Sequence, residues 1–306
     1  MTELDRKKYL IEKMPQLRTV MQAQWDYLKF LHVSNWLDDN FHNDIEGRYY
    51  AVKILLHTIH YSTKDLEILL NYGLYEKILG EIVKTKIIEE RRIFAQSSIA
   101  ASEVEKLKEK TMFVPILDSG KPHESGNLLI GDLVHKLKVS KDQVCFPSEL
   151  NDEKLKGYKL LVFVDDCLGS GGQLKKFSRS PKIQEIRNKC IKEGIQVFFL
   201  LLVAYKDSIE KISNEPDLKE IKLVVCEMLT NKNRVFSPES TIWDKEERES
   251  AIAYFKKIQL NKGVSFLGYQ KLDFAIILHN RLPNWSLPIF WRDMPGWKVL
   301  LRRKSS

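Results

Sequence analysis

The stretch that decides the fold is residues 161–173, which read LVFVDDCLGSGGQ. Its first four residues are apolar without alternation, as in a parallel strand that is buried on both faces. Two carboxylates, Asp165 and Asp166, follow where that strand is predicted to end. A glycine-rich turn comes next and opens into a run of good helix formers. The stretch therefore predicts a strand, a turn and a helix in direct succession.

Each part of this stretch suits the binding of a phosphorylated ribose. Backbone N–H groups of the turn can surround a monophosphate, because glycine lets the backbone approach a ligand closely. The predicted phosphate loop consists of Gly169, Ser170, Gly171, Gly172 and Gln173. The two carboxylates can accept hydrogen bonds from ribose hydroxyls or bind Mg²⁺. The alternative is an ordinary strand-to-helix turn, capped by Asp166 and Ser170, that binds no ligand.

The order of strand, acidic pair, glycine-rich turn and helix resembles the phosphoribosyl-pyrophosphate signature of type I phosphoribosyltransferases. The resemblance implies that Asp165 and Asp166 act in catalysis and hold Mg²⁺, with phosphoribosyl pyrophosphate (PRPP) as the donor substrate. Two positions depart from the usual signature. Gly169 stands where Ser or Ala is commoner, and Gln173 replaces a terminal Thr or Ser. The second change removes a hydroxyl contact to the phosphate, although an amide can also donate.

A second loop, residues 118–121, follows the predicted strand Met112 to Leu117. Its placement is similar to that of the pyrophosphate loop in the same enzymes. The similarity implies that Ser119 and Gly120 contact the donor and that Lys121 supplies positive charge to catalysis. The alternative is a turn with an exposed lysine.

The remaining sequence predicts two domains. Residues 1–108 carry helical spacing, as at Val52, Leu55 and Leu56, and predict an all-helical N-terminal domain. Residues 109–306 alternate apolar strands with helices, which predicts an α/β domain built on a parallel sheet. Hood or loop elements are expected from about residue 230. The predicted fold class is therefore α/β, with a type I phosphoribosyltransferase-like core preceded by a helical domain.

The segment Asn280 to Trp291 contains two prolines, two asparagines and two tryptophans. One explanation is a structural loop that proline fixes and tryptophan packs. The other is a wall over the ribose site, in which His279, Asn280 and Asn284 face the acceptor substrate. A lone histidine is also common as a structural residue.

Composition excludes some classes of protein. The 306 residues are 43% hydrophobic and 29% charged, as in ordinary globular proteins. Four cysteines stand singly, which argues against a zinc site or a disulfide framework and favours the cytoplasm. The longest apolar run, Val197 to Tyr205, is far shorter than the roughly 20 residues of a membrane helix, so no membrane partner is predicted. The net charge of +8 suits anionic ligands, including nucleic acid, but it is spread along solvated helices.

Several motifs together resemble the phosphoribosyltransferase-like effector family of bacterial conflict systems, over nearly the whole chain. They are Trp36-Leu37 with Phe41, Ser119-Gly120, Val164 to Gln173, and His279 to Trp291. In that family Gln is the expected residue after the double glycine, so Gln173 marks a subfamily. The resemblance implies antiphage defence, often beside other defence components such as a retron reverse transcriptase with its RNA and DNA. It implies no particular substrate.

Three functions fit these observations. An enzyme would bind PRPP or a nucleotide with Mg²⁺ and transfer or cleave at the anomeric carbon. A non-catalytic sensor would need the phosphate loop but not Lys121. A nucleic-acid-contacting subunit of a retron-like complex would bind phosphates through its positive charge, and that binding would survive loss of the acidic pair. Oligomeric state is not encoded in any of these motifs, and a homo-oligomer is compatible with all three.

Overall fold

The computed structural model describes residues 1–90, 97–117, 125–258, 265–293 and 295–303. The chain forms two compact units. The first unit combines Met1–Asp65 with Leu229–Ser305, and the second is Leu66–Met228. This division differs from the predicted boundary after residue 108, because the helical residues from Leu66 onward make their contacts within the unit that contains the larger sheet.

The elements follow one another in mixed α/β order. The chain begins with α1 (Glu3–Gln24), α2 (Phe30–Phe41), α3 (Ile45–Leu56), β1 (Ile59–Tyr61) and α4 (Thr63–Asn71). A π-helix (Tyr72–Gly80) is followed by α5 (Glu81–Glu89), α6 (Ser97–Glu109), β2 (Thr111–Pro115), α7 (Ser125–His135) and α8 (Asp152–Leu155). Next come β3 (Leu160–Leu168), α9 (Gly172–Ser178), α10 (Pro181–Glu193), β4 (Gln196–Tyr205), α11 (Lys206–Ser213), β5 (Lys222–Leu229), α12 (Lys245–Lys257) and β6 (Ile276–Leu278). The predicted α/β class, with helices preceding a parallel sheet, is confirmed.

The second unit is built around a four-stranded sheet in the order β2-β3-β4-β5. β3 pairs in parallel with β2 and with β4, so that Leu160 lies opposite both Thr111 and Gln196. The apolar run of β3 is fully buried, as its lack of alternation predicts. Phe163 of β3 contacts Phe177 of α9 with ring centroids 5.2 Å apart, and this packing holds α9 against the sheet.

Two predicted boundaries in this unit are wrong. β3 continues through Leu168, so the acidic pair lies inside the strand and does not follow its end. The helix formers after Gly172 predict a single helix to about Glu193, but the structure has two helices, because Pro181 lacks the N–H that an uninterrupted helix requires and instead occupies the first turn of α10. The short apolar segment Val144-Cys145-Phe146 predicts a weak strand, and it contributes one parallel bridge, from Val144 to Phe113.

The sequence predicts that Gly73 ends a helix, but in the structure this residue lies within the π-helix. A Cβ at this position would lie 2.5 Å from Leu200 Cδ1 and 2.6 Å from Cys226 Sγ. The absence of a side chain therefore lets the π-helix approach the sheet closely.

Gly73→Ala is expected to lower the free energy of unfolding by about 1–3 kcal/mol through overpacking. Urea unfolding should show this loss as a lower midpoint. Gly131→Ala in α7 is the matched control, because a Cβ there meets no atom of the described residues within 4 Å. It should be neutral or slightly stabilising. Equal losses in both variants would contradict a close approach at Gly73.

The first unit packs α1, α2, α3 and α12 around an aromatic core, and β1 pairs in parallel with β6. Tyr49 and Lys53 of α3 both bond Glu247 at the start of α12. The mostly apolar run from Leu272 to Leu278 predicts a strand, but β6 begins only at Ile276. Asp273 has a φ of 43°, which an extended strand does not allow. Its carboxylate accepts a hydrogen bond from Arg234.

Within the ranges that the structure describes, no helix has both the length and the apolar character to cross a membrane.

Candidate functional site

The acidic pair lies in the last part of β3. Asp165 is 5% and Asp166 is 3% exposed, and the N–H of Asp166 donates to Oδ1 of Asp165 over 2.9 Å. Because side chains alternate along a strand, the two carboxylates point to opposite faces of the sheet. The two carboxylates therefore have different surroundings, and each would contact a different group of a bound ligand. Both nevertheless lie close to the carboxyl end of β3, the edge at which ligands bind in parallel sheets.

The glycine-rich turn leads directly from β3 into α9. Gly171 has φ 78° and ψ 0°, in the left-handed region that favours glycine. A Cβ on Gly171 would come within 2.1 Å of Ile212 Cδ1 on α11. Ser170 Oγ accepts a 3.4 Å hydrogen bond from the N–H of Gly172. The turn therefore depends on Gly171 for both its conformation and its packing.

Gln173 turns its side chain toward the neighbouring strand. Its Nε2 donates to the carbonyl oxygen of Ile116, one residue beyond β2, over 3.4 Å. This bond links the first turn of α9 to the carboxyl end of β2. The amide side chain is thereby engaged with the backbone, while the contact of Gln173 with a phosphate remains a prediction.

A cavity of about 250 Å³ lies farther along α9. Its apolar wall includes Leu117, Phe177 and Ile183, and Lys176 and Lys182 contribute positive charge. Leu117 directly precedes the second predicted loop. Ser119, Gly120 and Lys121 of that loop lie outside the described residues, and their contacts with the donor remain predictions.

The three residues predicted to face the acceptor belong to the first unit. His279 and Asn280 directly follow β6, and Nδ1 of His279 lies 2.9 Å from Oδ2 of Asp26. Asn284 is exposed, and its carbonyl oxygen accepts from the N–H of Tyr269. Sequence reasoning missed Asp26, because no local pattern links it to a residue 253 positions later.

The family comparison covers both units and every residue predicted for the site. The PRTase-CE family model matches residues 33–303. The chain belongs to the PRTase-CE family. The predicted relationship to a phosphoribosyltransferase-like family is thereby confirmed.

The PRTase-CE protein also has a similarity to a solved structure. That structure is orotate phosphoribosyltransferase from Aeropyrum pernix, at 18% sequence identity and a TM-score of 0.26. The similarity covers 40% of the present chain and 62% of the chain of that structure. A comparison with curated proteins finds no match.

The acidic pair of the PRTase-CE protein fits a magnesium ion that arrives with substrate. Within the described ranges, no three His, Cys, Asp or Glu side chains are grouped as a metal site. Mg²⁺, however, is commonly held by one or two carboxylates together with substrate phosphates and water. A single carboxylate of the pair meets that requirement, so the opposite orientation of the two side chains is no obstacle.

His60 of β1 is a buried titratable group of this protein. Its side chain is 1% exposed and stacks on Trp25 with ring centroids 5.1 Å apart. Burial lowers the pKa of His60 from its usual value, and the nearby Asp26 carboxylate only partly opposes that effect. The folded protein therefore holds this imidazole neutral at neutral pH.

His60 is expected to make the protein less stable as the pH falls from 7 to 5. The unfolded chain takes up the proton near pH 6.5, whereas folded His60 binds it only at lower pH, so protonation favours the unfolded state in that window. His60→Phe retains an aromatic ring against Trp25 and should lose this part of the pH dependence. Urea unfolding at pH 7 and pH 5 measures it, and equal pH dependence in both proteins would contradict the assignment.

Proposed function

We propose that this PRTase-CE protein binds a phosphorylated ribose, as PRPP or a nucleotide, together with Mg²⁺, and transfers or cleaves at the anomeric carbon. The observation that supports the proposal is the direct succession of a buried acidic pair and a turn that requires glycine, at the carboxyl end of a parallel strand. Membership of a phosphoribosyltransferase-like family adds to that support.

In this proposal, the backbone N–H groups of residues 169–173 bind the 5′-phosphate. Asp165 and Asp166 accept hydrogen bonds from the ribose hydroxyls beside the carboxyl end of β3, each carboxylate from a different hydroxyl. The carboxylate nearer the pyrophosphate would also hold Mg²⁺, which neutralises negative charge on the leaving group. Ser119 and Gly120 contact the pyrophosphate, and Lys121 adds positive charge.

The reaction itself requires no covalent intermediate with the protein. The bond between the anomeric carbon and the pyrophosphate oxygen breaks, and its electron pair leaves with pyrophosphate. An acceptor lone pair, from a substrate N–H or O–H group or from water, forms the new bond and releases its proton. The protein contributes position and charge stabilisation around an oxocarbenium-like ribose.

We place this chemistry in antiphage defence, in the cytoplasm, with other defence proteins and their nucleic acid as partners. The resemblance to the conflict-system effector family supports the defence role, and four cysteines that stand singly in the sequence suit a reducing compartment. Cells that carry the intact defence locus should resist phage, and Asp165→Asn with Asp166→Asn should abolish that resistance. Full protection by the double variant would show that defence does not require the acidic pair.

Phosphorus NMR of the purified protein tests the proposed reaction. PRPP with a mixture of nucleobases, and separately a set of nucleotides, is followed with and without Mg²⁺. We expect release of pyrophosphate from PRPP, or of ribose phosphate from a nucleotide, only in the presence of Mg²⁺. Binding of these ligands by wild type and Lys121→Ala alike, without any conversion, would instead establish a sensor.

A further inference from the structure

Asp26, in the first unit, accepts three hydrogen bonds near one end of the two-stranded sheet of β1 and β6, called the small sheet below. Oδ2 of Asp26 accepts from the backbone N–H of Thr63 at 2.8 Å and from its hydroxyl at 2.9 Å. The same oxygen lies 2.9 Å from Nδ1 of His279. These bonds, from Thr63 and His279, outweigh burial and lower the pKa of Asp26, so the group is an ionised acceptor.

These contacts determine which ring nitrogen of His279 carries the proton. The hydroxyl of Thr63 donates its proton to Asp26. The Thr63 oxygen lies 3.0 Å from Nδ1 of His279 and can therefore act there only as an acceptor. Both neighbours of Nδ1 are therefore acceptors, and Nδ1 must be the donor. The neutral imidazole is left with Nε2 as an acceptor, and Nε2 bonds no residue in the described part of the chain.

His279 adopts a backbone conformation that costs a histidine more conformational energy than it costs glycine. β1 and β6 are parallel, so Thr63 and His279 follow strand ends at the same edge of the small sheet. Leu278 and Arg281 exchange backbone hydrogen bonds, which places His279 in the tight turn between them. Its φ of 53° is left-handed, a conformation that Gly or Asn adopts more readily. A strained residue that is also held by a carboxylate points to a functional imidazole.

A partly exposed aromatic side chain lies against this imidazole. The ring of Tyr27 lies 5.6 Å from that of His279 and is 49% exposed, which leaves an aromatic surface for a planar ligand. His60 is stacked on Trp25, and its Nε2 lies 3.9 Å from Oδ1 of Asp26. The side chain of His279 itself is 32% exposed and can be reached from solvent.

We propose that the carboxyl ends of β1 and β6 form a binding site for a planar heterocycle with a ring N–H, such as a nucleobase. The N–H donates to Nε2 of His279 beside Tyr27, and Asp26 is the positioning residue that keeps Nε2 an acceptor. The choice of a nucleobase rests on the proposed function. The site favours neutral N–H donors over anions, which offer Nε2 no proton.

Nitrogen NMR of the full chain with ¹⁵N-labelled histidine tests the positioning role, with His279→Asn used to assign the signals. We expect the neutral ring of His279 to carry its proton on Nδ1 in the wild type. In Asp26→Asn the amide can donate to Nδ1, and the proton should move to Nε2. A wild-type proton on Nε2 overturns the inference by itself, even if Asp26→Asn does not fold, and so does an unchanged tautomer in a folded Asp26→Asn.

Uracil and hypoxanthine serve as probes of the site, with 1,3-dimethyluracil and 1,9-dimethylhypoxanthine as matched compounds without a ring N–H. At least one parent base should shift the Nε2 signal, with binding at least tenfold weaker for its methylated analogue and for His279→Asn. No shift with either base, or equal binding of the methylated analogue, overturns the inference. Because PRPP binding reports on the phosphate loop and these probes on His279, the two proposals can fail separately.

Discussion

Replacement of both Asp165 and Asp166 by asparagine is expected to weaken PRPP binding by 10²- to 10⁴-fold. A hydrogen bond that involves a charged group contributes about 1.5–3 kcal/mol, and this double variant loses two charged acceptors, hence about 3–6 kcal/mol. Loss of the Mg²⁺ contact acts in the same direction. Calorimetric titration of PRPP in the presence of Mg²⁺ measures the change.

The fold should survive this substitution, because asparagine has nearly the shape of aspartate and its oxygen can still accept from the N–H of residue 166. Asp217→Asn is the control. Asp217 lies in the same unit and pairs with Arg179 at 3.2 Å, outside the proposed site. This control should bind PRPP as the wild type does. If the folded double variant binds PRPP with wild-type affinity, the acidic pair takes no part in PRPP binding.

Gly171→Ala is expected to be the most damaging single substitution in the phosphate loop. A left-handed alanine costs about 1–2 kcal/mol, and overpacking adds about 1–3 kcal/mol, so the free energy of unfolding should fall by about 2–5 kcal/mol. The overpacking arises because the new methyl group meets Ile212 on α11. Any folded fraction should bind PRPP weakly, since the N–H groups of the turn would be displaced.

Gly172→Ala provides the comparison for stability. A Cβ at Gly172 would have Ser170 Oγ at 3.6 Å as its nearest neighbour, an ordinary contact distance. Urea unfolding should therefore show a small change for Gly172→Ala and a large one for Gly171→Ala. Similar stability of the two variants would show that the left-handed conformation and close packing at Gly171 matter little.

The central strand and the turn after it could be predicted because their sequence signals are local. An unbroken apolar run indicates a doubly buried strand, and clustered glycines indicate a turn. The extension of β3 through Asp165 and Asp166 could not be predicted, because polarity suggested a strand end where pairing with β4 continues. The interruption before Pro181 was available from the sequence but was outweighed by the helix formers around it.

Contacts between distant parts of the chain were beyond sequence reasoning. A helix end at Gly73 is what the sequence suggests, whereas the structure shows that a Cβ there would collide with Leu200 and Cys226, which explains why glycine stands at this position. In the same way, His279 resembled a lone histidine until Asp26 and Thr63 were found against it. Such pairs follow from tertiary packing, which no periodicity within one segment encodes.

Calorimetric titration of PRPP against the wild-type protein, with and without Mg²⁺, shows whether this chain binds the donor substrate. We expect micromolar binding that requires Mg²⁺ and is lost in Asp165→Asn with Asp166→Asn. Absence of binding to the folded wild-type protein, with Mg²⁺ present, would contradict the proposal that this chain uses PRPP.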